Sequence, residues 1–392
     1  MGMDAKVAGQ VNPNESGTAV KISLLLAVCA AFCATFGVAT GALGMDSPPV
    51  LAAQHDVFYV GGHYEDDHGK RVMVGQMFVE AITPEHVTHP IPLVLIHGLA
   101  QTAVNWMATP DGREGWVDWF ARHGWAVYIV DQPARGRSAW NPDLQPTVSA
   151  VPVELVEKLF TDPQAYAAWP QAKLHTQWPG TGRAGDPAFD QFYAGEVPSL
   201  GNAPSETMMQ QAGAALLDRI GPAIIVTHSQ AGAFGWLIAD ARPKLVRGIV
   251  ALEPLGPPYK DSVFQTGHDR LWGLTDVPLT YDPPVTDGSP LNFVQDATPD
   301  AADLAACWKQ AAPVRALPNL KGFPVLVATT QASYHAVYDH CTAAYLKQAG
   351  VDVDFERLAE HGIEGNGHMM MLEKNSLAIA AWLDGWMTER IH

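Results

Sequence analysis

The sequence predicts an α/β fold with a mostly parallel sheet, helices on both faces of the sheet and inserted cap segments. From residue 91 onward, short apolar strands alternate with helical stretches, as in "AIIVTHS", "QAGAFGWLIADARP" and "VRGIVALEP". Several of these strands are apolar throughout, which is typical of a parallel sheet that is covered on both faces. Two regions rich in Pro and Gly, about 141–205 and 256–300, are too long for ordinary connections and are interpreted as caps.

The remaining elements follow in chain order. Residues 54–82 are expected to form an antiparallel hairpin with its turn around "DHGK". The strand in "IPLVLIHGLAQ" ends near Gly98, and the helix "GWVDWFARHG" is expected to end at Gly124. After the first cap, Ser205 is a candidate N-cap for a long helix. A short helix is expected around 301–311, before the strand "FPVLVATT".

The N-terminal segment has the pattern of an export signal. A polar lead is followed by the uncharged stretch "ISLLLAVCAAFCATFGVATGALGM", with small residues near its end. Residues 1–45 are therefore predicted to be a signal peptide, and the protein is expected to be periplasmic or extracellular. The stretch is also long enough to span a bilayer. The alternative is therefore that residues 22–45 are not cleaved and serve as a membrane anchor. Residues 46–392 form the expected catalytic domain.

Composition excludes some classes of function. The chain has 24 Lys and Arg against 41 Asp and Glu, for a net charge of −17. Such a surface repels phosphate backbones, so a nucleic-acid partner is not expected. Only Cys307 and Cys341 follow the export segment. An even pair in an exported protein suggests one disulfide, with two buried thiols as the alternative.

Ser229 is the candidate nucleophile. Ser229 comes after the apolar strand "AIIVT" and His228. Small residues come after it, as a sharp strand-to-helix turn requires. Serine is a weak nucleophile at its free pKa and needs a base. The strict pattern G-x-S-x-G is not met, because Thr227 and Ala231 occupy the glycine positions. The alternative is that Ser229 is the N-cap of the helix.

The candidate base and acid also follow strands. His368 lies in "HGIEGNGHMMML", between the last strand and the terminal helix, with His361 as a competitor in the same loop. Glu253 ends "GIVALEP", one strand after the nucleophile. A carboxylate there is costly to bury unless it is paired, and a histidine N–H is its natural partner. The alternative for Glu253 is an exposed acid at the rim of the sheet.

Two backbone N–H groups are the expected oxyanion donors. The turn after His97-Gly98 is expected to present the N–H of Leu99, and the N–H of Gln230 follows the nucleophile directly. No metal is expected, although the run from His63 to His68, "HYEDDH", could bind a cation; a solvated turn is the favoured interpretation there.

The motifs "HGLAQTAVNW", "THSQAG", "ALEPLGPP" and "GIEGNGHMMMLEKN" resemble those of the α/β-hydrolase superfamily, and in particular of exported bacterial esterases with a Ser-Glu-His triad. The resemblance implies the α/β-hydrolase fold, the same three residues (Ser229, Glu253, His368) and the same two oxyanion donors. It also agrees with a Cys307–Cys341 bridge and allows a homodimer. The chain departs from the best-known member of this branch at Leu99-Ala100, because that member has two adjacent cysteines after the His-Gly.

The sequence therefore predicts a serine hydrolase that cleaves a small carboxylic ester or lactone through an acyl-enzyme intermediate, with no cofactor. Two alternatives stay open. One is a non-catalytic relative of this fold that binds an apolar ligand, and the other is a Ser-dependent acyltransferase.

Overall fold

The computed structural model describes residues 51–260 and 269–392. The predicted export segment, residues 1–45, lies outside the described residues. Within the described ranges, no helix combines the length and the apolar character needed to cross a membrane.

A central sheet of eight strands carries the fold. The strands are β1 (Ala53–Asp67), β2 (Lys70–Pro84), β3 (Leu93–Ile96), β4 (Val127–Asp131), β5 (Ala223–His228), β6 (Val246–Leu252), β7 (Phe293–Gln295), β8 (Trp308–Gln310), β9 (Val325–Thr329) and β10 (Val353–Arg357). Strands β7 and β8 form a separate two-stranded sheet, and the others belong to the central sheet. The order in the large sheet is β1-β2-β4-β3-β5-β6-β9-β10. The pairs β1/β2 and β2/β4 are antiparallel, and the other neighbours are parallel. The predicted sheet and its N-terminal hairpin are confirmed.

Helices lie on both faces of this sheet. They are α1 (Val104–Met107), α2 (Trp116–Arg122), α3 (Val153–Val156), α4 (Pro163–Tyr166), α5 (Pro187–Ala194), α6 (Asn202–Ile220), α7 (Ala231–Ala241), α8 (Asp339–Gln348) and α9 (Ser376–Arg390). Alternate residues of β3 belong to different cores: Leu95 packs in a cluster with side chains of α2 and α9, and Ile96 packs with those of α6, α7 and α8. This alternation explains why β3 is apolar throughout.

The first cap ends earlier than the sequence predicted. Helix α6 begins at Asn202, within three residues of the predicted end of the cap at about 205; its N-cap is Gly201, so the prediction of Ser205 as N-cap is wrong. Pro204 falls in the first turn of the helix, where backbone N–H groups have no acceptor within the helix. Proline is therefore compatible with this early start.

The second insertion lies between β6 and β9 and extends beyond residue 300. The helix predicted for 301–311 is wrong, because β8 in this range pairs antiparallel with β7. Pairing with a distant segment here overrides the local helical preference. Cys307 forms a disulfide with Cys341 of α8, in agreement with the predicted pairing. The bridge fixes this insertion to the main domain.

Candidate active site

Ser229 lies on the turn between β5 and α7, in the left-handed backbone region at φ 58°. This conformation is uncommon for a residue with a side chain and needs support from its surroundings. The N–H of Ser229 donates to the carbonyl oxygen of Leu252 (3.0 Å), and its own carbonyl accepts from the N–H of Leu255 (2.8 Å). The N-cap of α7 is Gln230, and no side chain caps this helix. The alternative interpretation of Ser229 as an N-cap is therefore wrong.

Glycines allow neighbouring segments to approach this turn. A Cβ at Gly232 would lie 2.3 Å from Cβ of Pro254, and a Cβ at Gly98 would lie 2.9 Å from Cβ of Ser229. Such distances are too short for carbon atoms in contact. The loops after β3 and β6 therefore meet at the serine, and each approach depends on the absence of a side chain.

Glu253 follows β6 directly and is fully buried. Its Oε2 lies 2.6 Å from Nδ1 of His368 and accepts from the hydroxyl of Ser333 at 2.7 Å. Its Oε1 accepts from the N–H of Thr330 (2.9 Å) and lies 2.6 Å from the hydroxyl of that residue. Burial raises the pKa of the Glu253 carboxyl, the Asp339 carboxylate adds to the rise, and the donors oppose it. The alternative of an exposed rim acid is wrong.

His368 is also fully buried, in the loop between β10 and α9. Burial lowers the pKa of its imidazole well below the usual value, and the nearby imidazoles of His228 and His335 add to the effect. This shift favours the neutral form of the ring. With Nδ1 donating to Glu253, the lone pair of Nε2 is available to accept a proton, as a general base requires.

The contacts of His368 place it beside the serine turn. Its ring centroid lies 4.4 Å from that of His228, the residue before Ser229, and His228 Nε2 donates to its carbonyl oxygen at 2.9 Å. The hydroxyl of Tyr334 lies 3.3 Å from its Nε2. Among the described residues, no hydrogen bond joins Ser229 to His368. Such bonds are often long before substrate binds and shorten in the complex.

The two expected oxyanion donors belong to Leu99, which follows Gly98, and to Gln230, which follows Ser229. Within the described ranges, neither the N–H of Leu99 nor that of Gln230 has a hydrogen-bond partner in the protein. Arg135 holds both segments, because its guanidinium donates to the carbonyl oxygen of Gly98 (2.8 Å) and to Oε1 of Gln230 (2.7 Å). Arg135 is itself buried. One buried cation thus joins the residue before Leu99 to the side chain of Gln230.

Two other sequence candidates lie elsewhere. His361 bonds to Glu356 at 2.8 Å and contacts the ring of Trp382, so it is a surface residue away from Ser229. The hairpin run 63–68 contributes to no three-residue group of potential metal ligands among the described residues. The groups that do meet this description are the disulfide pair with His340 and the set Glu253, His335 and His368.

Sequence reasoning named Trp169 as a possible pocket wall or staple of the cap, but it missed the aromatic side chains that contact the base. Phe160 of the first cap stacks on the His368 ring with centroids 5.2 Å apart, and His335 stacks on it at 4.8 Å. Trp169 donates from its indole N–H to the carbonyl oxygen of Ala332, at 2.9 Å. Tyr334 had a usable signal, because it follows β9 at the same sheet edge. Nothing in the weakly periodic cap sequence indicated Phe160.

The sheet order, the turn at Ser229 and the buried loop at His368 invite comparison with known proteins. Residues 93–382 match the family model described as "Alpha/beta hydrolase family". This chain belongs to the alpha/beta hydrolase family. The prediction of the fold is thereby confirmed, and the roles of the three site residues stay predictions.

One relative and one solved structure with the same fold cover most of the length of this alpha/beta hydrolase. A protein of Fungal sp. (strain ATCC 74256) named "Probable secreted lipase phiG" is 48% identical over 335 residues, which are 85% of this chain and 89% of that protein. A solved structure of a bacterial esterase superposes with a TM-score of 0.56 at 21% identity, over 88% of this chain and 98% of that one. The second likeness shows that the two proteins share a fold.

Proposed function

We propose that this alpha/beta hydrolase cleaves carboxylic esters, lactones included, through an acyl-enzyme intermediate on Ser229. The observation that carries the proposal is the fully buried pair of Glu253 and His368, joined at 2.6 Å, beside a serine in a strained turn. The relative that is named a lipase supports an ester as the substrate.

In the first half of the proposed reaction, Ser229 Oγ attacks the carbonyl carbon of the ester while its proton passes to Nε2 of His368. The carboxylate of Glu253 stabilises the imidazolium that forms and holds the ring in the required tautomer. The carbonyl oxygen gains negative charge, which the N–H groups of Leu99 and Gln230 stabilise. The tetrahedral intermediate then collapses, the bond to the alcohol oxygen breaks, and His368 gives its proton to the leaving alcohol.

The second half repeats these steps with water. His368 takes a proton from a water molecule, the hydroxide attacks the acyl carbon, and the bond from that carbon to Ser229 Oγ breaks. Ser229 recovers its proton from His368 and the carboxylic acid leaves. No group outside the protein and water is needed for the atoms to balance.

The environment of the base favours substrates with an apolar portion. The rings of Phe160 and Tyr334 contact that of His368, and Trp169 packs on Tyr334; each of the three aromatic side chains is at least nine-tenths buried. Aromatic side chains at a site recognise apolar surface, with few polar groups to fix orientation. We therefore propose an ester with an apolar acyl or alcohol part. The N-terminal pattern and the relative named as secreted both support export of the protein.

A fluorophosphonate probe tests the proposed nucleophile, because this probe phosphonylates serines that a histidine has activated. We expect the purified protein to be labelled and the variants Ser229→Ala and His368→Ala to stay unlabelled. His361→Ala is the matched control: it removes a histidine from the same loop and is expected to be labelled like the parent.

The opposite result would count against the proposal. A folded parent protein that a small probe does not label would indicate a ligand-binding role without catalysis. Labelling that survives in Ser229→Ala would place the nucleophile elsewhere.

A further inference from the structure

A second buried carboxylate–histidine pair connects the first cap to the loop of His368. Nε2 of His175, in the cap, lies 2.6 Å from Oε1 of Glu373, which is five residues after His368 in the chain. The exposed fractions of the two side chains are 1% and 0%. A carboxylate this deeply buried needs several donors to compensate for its lost hydration.

The other donors to Glu373 come from the histidine loop itself. The N–H of Gly367 donates to Oε1 at 2.9 Å and to Oε2 at 3.0 Å, and the side-chain amide of Asn366 donates to Oε2 at 2.7 Å. Gly367 directly precedes His368, so the backbone on the N-terminal side of His368 is hydrogen-bonded to the Glu373 carboxylate. A Cβ on Gly367 would lie 2.9 Å from Nε2 and Cδ2 of His175, which leaves no room for a side chain.

Backbone hydrogen bonds also join the cap to the chain on both sides of His368. The N–H groups of Thr176 and Gln177 donate to the carbonyl oxygen of Gly365, at 2.9 and 3.3 Å. The carbonyl of Gln177 in turn accepts from the N–H of Lys374 at 2.8 Å. The cap segment 175–177 thus bonds to the chain before His368 and to the chain after it.

We propose that Glu373 is a positioning residue that fixes the backbone of His368, and that His175 makes this position depend on the first cap. The proposal deepens the proposed function and rests on it, because a fixed imidazole matters only if His368 is the base. Catalytic groups have to be held within about 0.5 Å of the productive geometry. The carboxylate supplies this constraint through the Gly367 N–H, without touching the reacting atoms.

The test compares Glu373→Gln with the matched variant Glu206→Gln. Glu206 is also fully buried, and it accepts from two backbone N–H groups, those of Asp276 and Val277, at 2.8 and 2.9 Å. It attaches α6 to the second insertion, and none of its bonds reaches the His368 loop. Both substitutions replace a buried carboxyl group with an amide of nearly the same size, so a general loss of packing affects the two variants alike.

We expect Glu373→Gln to lower kcat by about 10²-fold, as misplacement of a catalytic group by about 1 Å does, with KM changed less than about twofold. We expect Glu206→Gln to keep the parent's kcat even where its Tm falls. His175→Gln keeps a donor toward Glu373 and is expected to lose kcat less than Glu373→Gln. It also replaces Glu373→Gln as the test if that variant does not fold.

A second readout does not depend on activity. The proton between His368 Nδ1 and Glu253 gives a downfield NMR signal, which we expect in the parent and in Glu206→Gln and expect to be shifted or broadened in Glu373→Gln. Unchanged kcat and an unchanged signal in Glu373→Gln would overturn the positioning role, as would an equal loss in Glu206→Gln. A parent protein that shows the downfield signal but neither hydrolyses esters nor is labelled at Ser229 would instead overturn the proposed function.

Discussion

The pairs Glu253–His368 and His175–Glu373 have the same separation of 2.6 Å and are both buried, yet their surroundings differ. In the first pair, the other ring nitrogen points toward the hydroxyl of Tyr334 beside the serine turn. In the second pair, Nδ1 of His175 lies 3.1 Å from the side-chain oxygen Oε1 of Gln164. Distance and burial therefore do not identify a catalytic pair. The position of Glu253 and His368 at the carboxyl ends of the strands, next to a strained serine, is what favours them as the catalytic pair.

The largest effect that separates the two pairs is expected from Glu253→Gln. The amide cannot stabilise the imidazolium and favours the wrong tautomer, a change that costs about 10⁴-fold in kcat in the serine-protease triad. We expect a comparable loss here, against about 10²-fold for Glu373→Gln. Steady-state kinetics with one soluble ester measures both variants. A smaller loss in Glu253→Gln than in Glu373→Gln would reverse the assignment of the two pairs.

A smaller effect is expected from Arg135→Lys, which retains the charge but loses the two-pronged geometry that binds Gly98 and Gln230 together. Loss of an oxyanion donor costs about 10²–10³-fold in kcat, and displacement of the donors by this substitution is expected to cost about tenfold. Arg242→Lys, at an exposed pair with Asp218, is the control and should leave kcat unchanged. Equal kcat in Arg135→Lys and in the parent would show that Arg135 does not position the oxyanion donors.

The smallest effect concerns pH. Because burial and the neighbouring imidazoles lower the pKa of His368, its neutral, active form persists below the ordinary histidine value of about 6.5. We therefore expect kcat/KM to fall on the acid side only below that pH. His335→Gln removes one of the imidazoles that lower this pKa, so the acid limb should move to higher pH. A limb that stays in place, or moves to lower pH, would contradict the electrostatic role of His335.

The parts of the molecule predicted from sequence are those in which a local pattern determines the structure. Apolar runs such as β5 and β6 predicted buried parallel strands, and their ends predicted where Ser229 and Glu253 lie. The structure brings His368 to the predicted acid, although 115 residues separate them. Their chemical roles stay predictions.

The remaining features depend on contacts between distant segments, which a local pattern does not record. The pairing of β8 with β7 and the stacking of Phe160 on His368 both join residues far apart in the chain. Glu373 had a signal in the sequence, because it is an acid that follows the apolar run "HMMML". A carboxylate in such a position needs buried donors, and this argument alone could have identified it as a structural acid.

Rapid acid quenching of the protein with a nitrophenyl ester, followed by peptide mass spectrometry, shows directly which residue carries the acyl group. We expect a burst of nitrophenol and one acyl adduct, on the peptide that contains Ser229. We also expect the adduct to be absent in Ser229→Ala. Steady turnover with no adduct on this peptide, or an adduct on another residue, would contradict the proposed role of Ser229 as the nucleophile.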